Sequence, residues 1–326
     1  MKKVYIIVMT FLLVVVATIM SGCSNRNVTT EKKLEEANKN ETLQEKYNYK
    51  NPIIPEGFHT VETETASWEK QEDGAIKGWN NGLVIEDDKG NQFVWVPCTV
   101  EDNDDVVKYG RYFYEGGQVK NYGEKEIKHV TIATTGEVYS YYEDDEKNEE
   151  VKDMVKRYGG FFIGRYELGQ EMEDIVVKKG CNPVTNIDRE QAIELTSNII
   201  KNNNVQTYLM TSFCYDTTVK WIEESNDNFC EDPVKYHNLI ENNEVKKTGE
   251  SEEVNNIYDI FGNVCEITTE KYSGKDNTDK FIYRSGMTKS IRSSAKGQIL
   301  IEEFCQRGPM NKRSKLIGTR AIIIVK

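Results

Sequence analysis

The chain is short of the residues that most often carry out chemistry. It has three histidines, His59, His129 and His237, scattered along its length, and no C-x-x-C pair. A zinc site of the usual Cys/His spacing is therefore not expected. No G-x-S-x-G, no H-E-x-x-H and no phosphate-cradling glycine loop occurs, which removes the common hydrolase and nucleotide-binding signatures. Positive charge is scarce as well. The 42 Lys and Arg are outnumbered by 54 Asp and Glu, for a formal net charge of −12. That balance argues against nucleic acid as a partner and against electrostatic binding to an anionic surface. The acidic run Glu101–Asp105 lacks the mid-loop glycine of an EF-hand and reads as a solvated loop.

What the chain does have begins at its first residue. Met1-Lys2-Lys3 precedes an apolar stretch from Val4 to Met20, and Met20-Ser21-Gly22-Cys23 closes it. A basic start, a short apolar run and small residues before a cysteine form a secretory signal. The ending resembles a bacterial lipobox, in which Cys23 is lipidated and becomes the new N-terminus. An uncleaved membrane anchor is the alternative and gives the same orientation. Residues 1–22 are thus expected to be a lipoprotein signal peptide and residues 23–50, rich in Lys, Glu, Asn and Thr, a polar tether. Residues 51–326 are expected to form one folded domain on the outer face of the cell membrane. Loss of Lys2 and Lys3 takes the formal charge from −12 to −14. Cys98, Cys181, Cys214, Cys230, Cys265 and Cys305 remain. An exported chain permits disulfides among them, and buried apolar thiols are the plainer alternative.

Periodicity gives the coarse architecture. Gly82–Ile85 and Phe93–Pro97 read as strands around an Asp87–Gly90 turn, with Trp95 in the core. Val151, Met154, Val155 and Tyr158 share one helical face, which Gly159-Gly160 ends, and Phe161–Tyr166 reads as a strand. Asn186 or Asp188 can cap a helix presenting Ala192, Leu195 and Ile199. A further helix follows Ser212, with Cys214, Thr218, Trp221 and Ile222 at helical spacing. The continuous apolar run Ala321–Val325 suits a strand buried on both faces. Helices set between β-rich ends predict an α+β domain.

The most informative stretch is Asn256–Thr268, two short apolar runs joined at Gly262-Asn263. That dipeptide suits a tight turn between strands. Asp259 before the turn and Glu266 after it would bring carboxylates beside backbone carbonyls, the hard oxygen donors that calcium takes. A plain hairpin ending in solvated acids is the alternative that spacing alone leaves open.

This stretch resembles the N-x-Y-D-x-x-G-N-V-x-E-W signature of the formylglycine-generating (sulfatase-modifying factor) family. Other landmarks follow the family's order: Gly160–Glu167, the helix start at Asp188–Leu195, the Cys214–Ile222 helix, Arg284-Ser285-Gly286, and Gly318-Thr319-Arg320 before a closing strand. The resemblance spans roughly residues 51–326 and implies a variant of the C-type-lectin-like fold. It also implies a calcium held by Asp259, the carbonyls of Gly262 and Val264, and Glu266. Ile267 stands in place of the usual Trp, Thr319 in place of Phe, and Asp259 where Asn is also common. By the same resemblance Arg320 is structural, and Arg307 lies in a loop near the family's substrate groove, a candidate ligand contact. Arg292 has no family counterpart and reads as solvated.

The family's oxidase chemistry needs a copper-binding cysteine pair shortly after the segment matched by Arg284-Ser285-Gly286, because thiolates are the soft ligands that select Cu(I). The stretch Arg284–Lys296 contains no cysteine, and Cys305 stands alone further on. Met287 is a single thioether. Copper is therefore not expected, and the dispersed histidines give no support to the family's iron branches. The expectation is a surface lipoprotein whose non-catalytic domain binds a protein, peptide or glycan outside the membrane. It would be anchored through its lipid and stabilised by calcium. The alternatives are a divergent formylglycine-generating-type oxidoreductase and a retroelement-diversified ligand-binding protein varying around residues 285–315.

Overall fold

The computed structural model describes residues 50–115, 118–123, 128–131, 138–142, 145–231, 233–236, 244–273, 279–285, 307–310 and 312–326. The signal stretch, Cys23, nearly all of the tether, and residues 286–306 with Met287, Arg292 and Cys305 lie outside the described residues. Among the described residues no helix is long and apolar enough to cross a membrane.

The described chain opens with β1 (Phe58–Val61), β2 (Val84–Asp87) and β3 (Gln92–Pro97), paired antiparallel in that order. Asp87 shapes the β2–β3 turn by accepting the Lys89 and Asn91 N–H groups at 2.9 and 2.8 Å, with Gly90 left-handed at φ +85°. A ribbon of β4 (Arg111–Glu115) and β5 (Gln118–Gly123) follows, then β6 (Lys128–Thr131) and β7 (Val138–Tyr142). Helix α1 (Asp145–Tyr158) buries the face that periodicity marks out, with Val151, Met154, Val155 and Tyr158 between 0 and 8% exposed. Gly159 at φ +75° ends it and sends the chain into β8 (Gly160–Gly164), which stops short of the expected Tyr166. A Cβ on Gly160 would meet the Trp95 ring and the Val96 carbonyl oxygen at 2.4 Å, so glycine lets β8 close against β3.

A small sheet of β9 (Gly169–Glu171), β10 (Asp174–Val176) and β11 (Asn182–Pro183) leads to helix α2 (Arg189–Ser197). Asp188 caps α2 through a reciprocal box: its carboxylate accepts the Gln191 N–H at 2.9 Å, and its own N–H donates to the Gln191 side chain at 3.3 Å. Next come β12 (Val205–Leu209), helix α3 (Ser212–Ser225) capped by Thr211, and the short helix α4 (Asp227–Glu231). The chain closes with β13 (Cys265–Ser273), β14 (Asp279–Arg284), β15 (Arg307–Met310), β16 (Ile317–Thr319) and β17 (Ala321–Val325).

Two sheets of six strands organise this order. One is antiparallel throughout, β1-β2-β3-β8-β17-β12; the other runs β15-β14-β13-β7-β6, with β16 added parallel to β13. Every residue of β17 is buried between β8 and β12, as its unbroken apolar run implies. Burying each isoleucine there contributes roughly 1.5–3 kcal/mol. Helix α2 touches both β12 and β13, and a core of Ile187, Ala192, Leu209, Cys265, Ile267, Phe281 and Ile317 fills the space. The domain is α+β.

The sequence pattern sets strands on both sides of Gly262-Asn263, and only the second exists. Asn255, Asn256, Asp259 and Asn263 take φ of +48, +62, +60 and +59°. Left-handed residues this closely spaced prevent an extended run, so the segment coils until β13 begins at Cys265. Cys98, Cys181, Cys214 and Cys265 are buried free thiols; Cys230 sits on α4 with its side chain outside the described residues.

Candidate functional site

Arg320, between β16 and β17, gathers the landmark segments. Its Nε lies 2.6 Å from Glu266 Oε1, its Nη1 donates to the Gly164 carbonyl at 2.9 Å, and its Nη2 donates to the Tyr258 carbonyl at 2.8 Å. Side chains of both Arg320 and Glu266 are 0% exposed. A planar guanidinium with donors on several edges suits this role, because one side chain can fix three backbone segments at once. Segments far apart in sequence, the end of β8, the Tyr258 turn and the start of β13, are therefore held in one rigid centre.

Glu167, just past β8, completes that centre. Its carboxylate accepts the Val264 N–H at 3.0 Å and the Asn263 amide at 2.7 Å, so it ties down the turn before β13. Asp259 accepts the Gly249 N–H at 2.6 Å. Three buried carboxylates, Glu167, Asp259 and Glu266, thus share the neighbourhood of one guanidinium. The electrostatics follow from that imbalance. Burial, then the charges of Asp259 and Glu266, hold the Glu167 carboxyl well above the usual range, with Arg320 opposing. Burial pushes Glu266 up to about 7 despite Arg320, and Asp259 adds to the rise.

This is where the calcium expectation meets the structure. Asp259 and Glu266 belong to the same centre, with Gly262 and Val264 buried on the turn between them. Glu266 Oε2 is buried and has no hydrogen-bond partner among the described residues. An orphaned carboxylate oxygen beside further buried carboxyl groups suits a divalent cation, whose charge would favour their ionised forms. Among the described residues no three His, Cys, Asp or Glu side chains are grouped to hold a metal. A cation here would thus depend on two side-chain carboxylates and main-chain carbonyls.

A second buried centre lies further along β13, at Glu270. Arg284 pairs with Asp216 and lies 4.6 Å over the Tyr215 ring, while Arg111 Nη2 sits 2.8 Å from Glu270 Oε1. Ser212 donates to Glu270 at 2.7 Å. These pairs staple α3 to β4, β13 and β14. Ser285, left-handed at φ +82°, accepts a 3.4 Å hydrogen bond from the Cys265 thiol through its carbonyl. Burial pushes the Cys98, Cys181 and Cys265 thiols up, so these are neutral thiols rather than nucleophilic thiolates.

The departures Ile267 and Thr319 prove to be cross-strand partners. They pair in register between β13 and β16, and Thr319 Oγ1 donates to the Ile267 carbonyl at 3.1 Å. A large ring at either position would need room that the 0% exposure of both residues denies. Arg307 opens β15 opposite Arg284, and its side chain lies outside the described residues. Sequence reasoning missed Glu167 as a site residue. The available signal was its place at the end of the Gly160–Glu167 landmark.

No protein-family model matches the chain, and no curated protein matches it. A solved structure titled "Crystal Structure of CarF" matches with 15% identity and a TM-score of 0.34, covering 52% of this chain and 87% of its own. At that score the likeness supports no statement about fold or function.

Proposed function

We propose that the protein is a surface-anchored lipoprotein whose domain is a formylglycine-generating-enzyme-like variant of the C-type-lectin-like fold, working as a calcium-stabilised binding module. The observation that carries this reading is the meeting at Arg320 of three landmark segments, Gly160–Glu167, Asn256–Thr268 and Gly318–Arg320. Asp259, Glu266 and the carbonyls of Gly262 and Val264 would hold the cation, which would neutralise the surplus carboxylate charge and stiffen the turn. Its partner would be an extracellular protein, peptide or glycan.

Loss of catalysis belongs to the same reading. The stretch Arg284–Lys296 has no cysteine, and Cys265, which contacts Ser285, is a buried neutral thiol. Oxygen uptake by the full chain with a cysteine-containing peptide, with and without copper, tests it. Uptake at the background rate is expected. Turnover that Cys305→Ser abolishes would overturn it.

A further inference from the structure

A cleft of about 490 Å³ opens beside the Asn256 turn, between the Asn80 loop and the junction of α3 and α4. Six of its lining residues are asparagines: Asn80, Asn81, Asn226, Asn228, Asn255 and Asn256. Its size falls within the roughly 300–1,000 Å³ of small-molecule sites. Such sites are mostly apolar with a few polar groups, whereas this one is mostly amide. That inversion narrows the ligand class.

Five of the six amides, all but Asn228, are held by hydrogen bonds within the chain. Asn226 donates to Asn255 Oδ1 at 2.8 Å, Asn255 donates to Ser225 at 2.7 Å, and Ser225 donates to the Trp221 carbonyl at 2.6 Å. Asn226 Oδ1 in turn accepts the Phe229 N–H at 3.0 Å. Asn256 donates to the Gly82 carbonyl at 2.9 Å and to Thr65 at 3.0 Å. Both Asn255 and Asn256 are held left-handed, at φ +48 and +62°. The Asn255 carbonyl presses on Gly82, where a Cβ would sit 2.1 Å away. Backbone held in sparsely populated conformations costs stability and persists where the surroundings enforce it.

The rim groups are of both hydrogen-bonding kinds. Asn80 accepts from Trp221 Nε1 at 2.8 Å, which leaves its NH₂ to donate. Exposed Asn81 donates to the Thr65 carbonyl at 3.0 Å, which leaves its oxygen to accept. Exposed Asn228 offers both. Tyr236 adds an aromatic wall. No Lys or Arg lines the cleft, and the acids present are Asp227 and Glu253, the latter paired with Arg165 at 3.2 Å. Nothing here would neutralise a phosphate or carboxylate, and little of it would bury an apolar side chain.

We infer that this cleft binds a neutral oligosaccharide, whose hydroxyls both donate and accept and so match amides fixed in this pattern. The inference rests on the binding-module reading and names its ligand class. Preorganised amides lose little freedom on binding, so the hydrogen bonds need not offset an ordering cost.

The test uses the full chain in a non-glycosidic detergent, titrated by calorimetry with neutral glucan, mannan, galactan and N-acetylglucosamine oligomers. At least one series should bind. Asn228→Ala, at an exposed position, should weaken it about tenfold with unchanged melting temperature, and Asn80→Ala should weaken it further. No binding by any of these saccharides, or binding unaffected by both substitutions, would overturn the inference. A peptide whose binding those substitutions remove would retain the binding module and overturn the saccharide assignment. Copper-dependent oxygen turnover would instead remove the binding-module reading beneath it.

Discussion

Glu266 and Arg320, 54 residues apart in the chain, lie with Oε1 and Nε 2.6 Å from each other, and neither side chain is exposed. The pair joins β13 to the link between β16 and β17, and through Arg320 it also reaches β8. Taking two charges out of water is costly, and the cost is recovered only when the remaining donors and acceptors are used. Arg320 uses its other nitrogens on the Gly164 and Tyr258 carbonyls.

Removing Arg320 should therefore be severe. Arg320→Leu leaves Glu167, Asp259 and Glu266 buried without the cation that opposes their repulsion. Urea unfolding should show a loss of about 3–5 kcal/mol. The double variant Arg320→Leu/Glu266→Gln should recover part of that loss. A single variant as stable as the native protein would contradict the assigned role.

The turn before β13 depends on a left-handed asparagine. Asn263→Gly keeps access to φ +59° and loses the side chain's bonds to Glu167 at 2.7 Å and to the Lys246 backbone at 2.8 and 3.2 Å, whereas Asn263→Ala loses the bonds and the ready access to that φ. Alanine should cost about 1–2 kcal/mol more than glycine in the same unfolding assay. Equal losses would mean that the side-chain bonds alone matter.

How much of this was legible in the sequence depended on the range of the signal. Local patterns carried well. The Val151–Tyr158 face, the Asp188 cap, the helix after Ser212 and the buried Ala321–Val325 strand all stand where periodicity and capping chemistry put them. The hairpin at Gly262-Asn263 failed because its first half is governed by left-handed Asn255, Asn256 and Asp259, residue types that tolerate that conformation without demanding it. The partners of Arg320, Glu167 and Arg284 come from distant segments, and a single sequence carries no mark of such contacts. The cleft asparagines come from three separated stretches, each of which reads alone as a loop.

Thiol chemistry should follow burial. Cys98 and Cys265 are fully buried with their thiols pushed up, and Cys181 is 8% exposed. Mass-mapped alkylation at pH 8 should leave Cys98 and Cys265 unmodified in the native state and modify both in denaturant. Rapid native labelling of Cys265 would contradict the closed packing around Ser285.

The α2 cap should show a defined pH dependence. The Gln191 N–H holds the Asp188 carboxyl below its ordinary value, and Arg313 adds to this. With the folded pKa lowered, the stabilisation is present above the ordinary carboxylate range and is lost as pH falls through the folded value. Asp188→Ala should cost about 1 kcal/mol near neutral pH, and the difference from the native protein should shrink below about pH 4. A difference constant down to pH 2 would show that the charge takes no part.

Thermal unfolding of the full chain in calcium and in chelator, beside Glu266→Gln, tests the proposed calcium-stabilised scaffold. Calcium at about a hundred times its Kd should add roughly 2.7 kcal/mol and raise the melting temperature by several degrees. The account predicts that rise in the native protein and none in Glu266→Gln. An identical melting temperature in calcium and chelator for the native chain would contradict it.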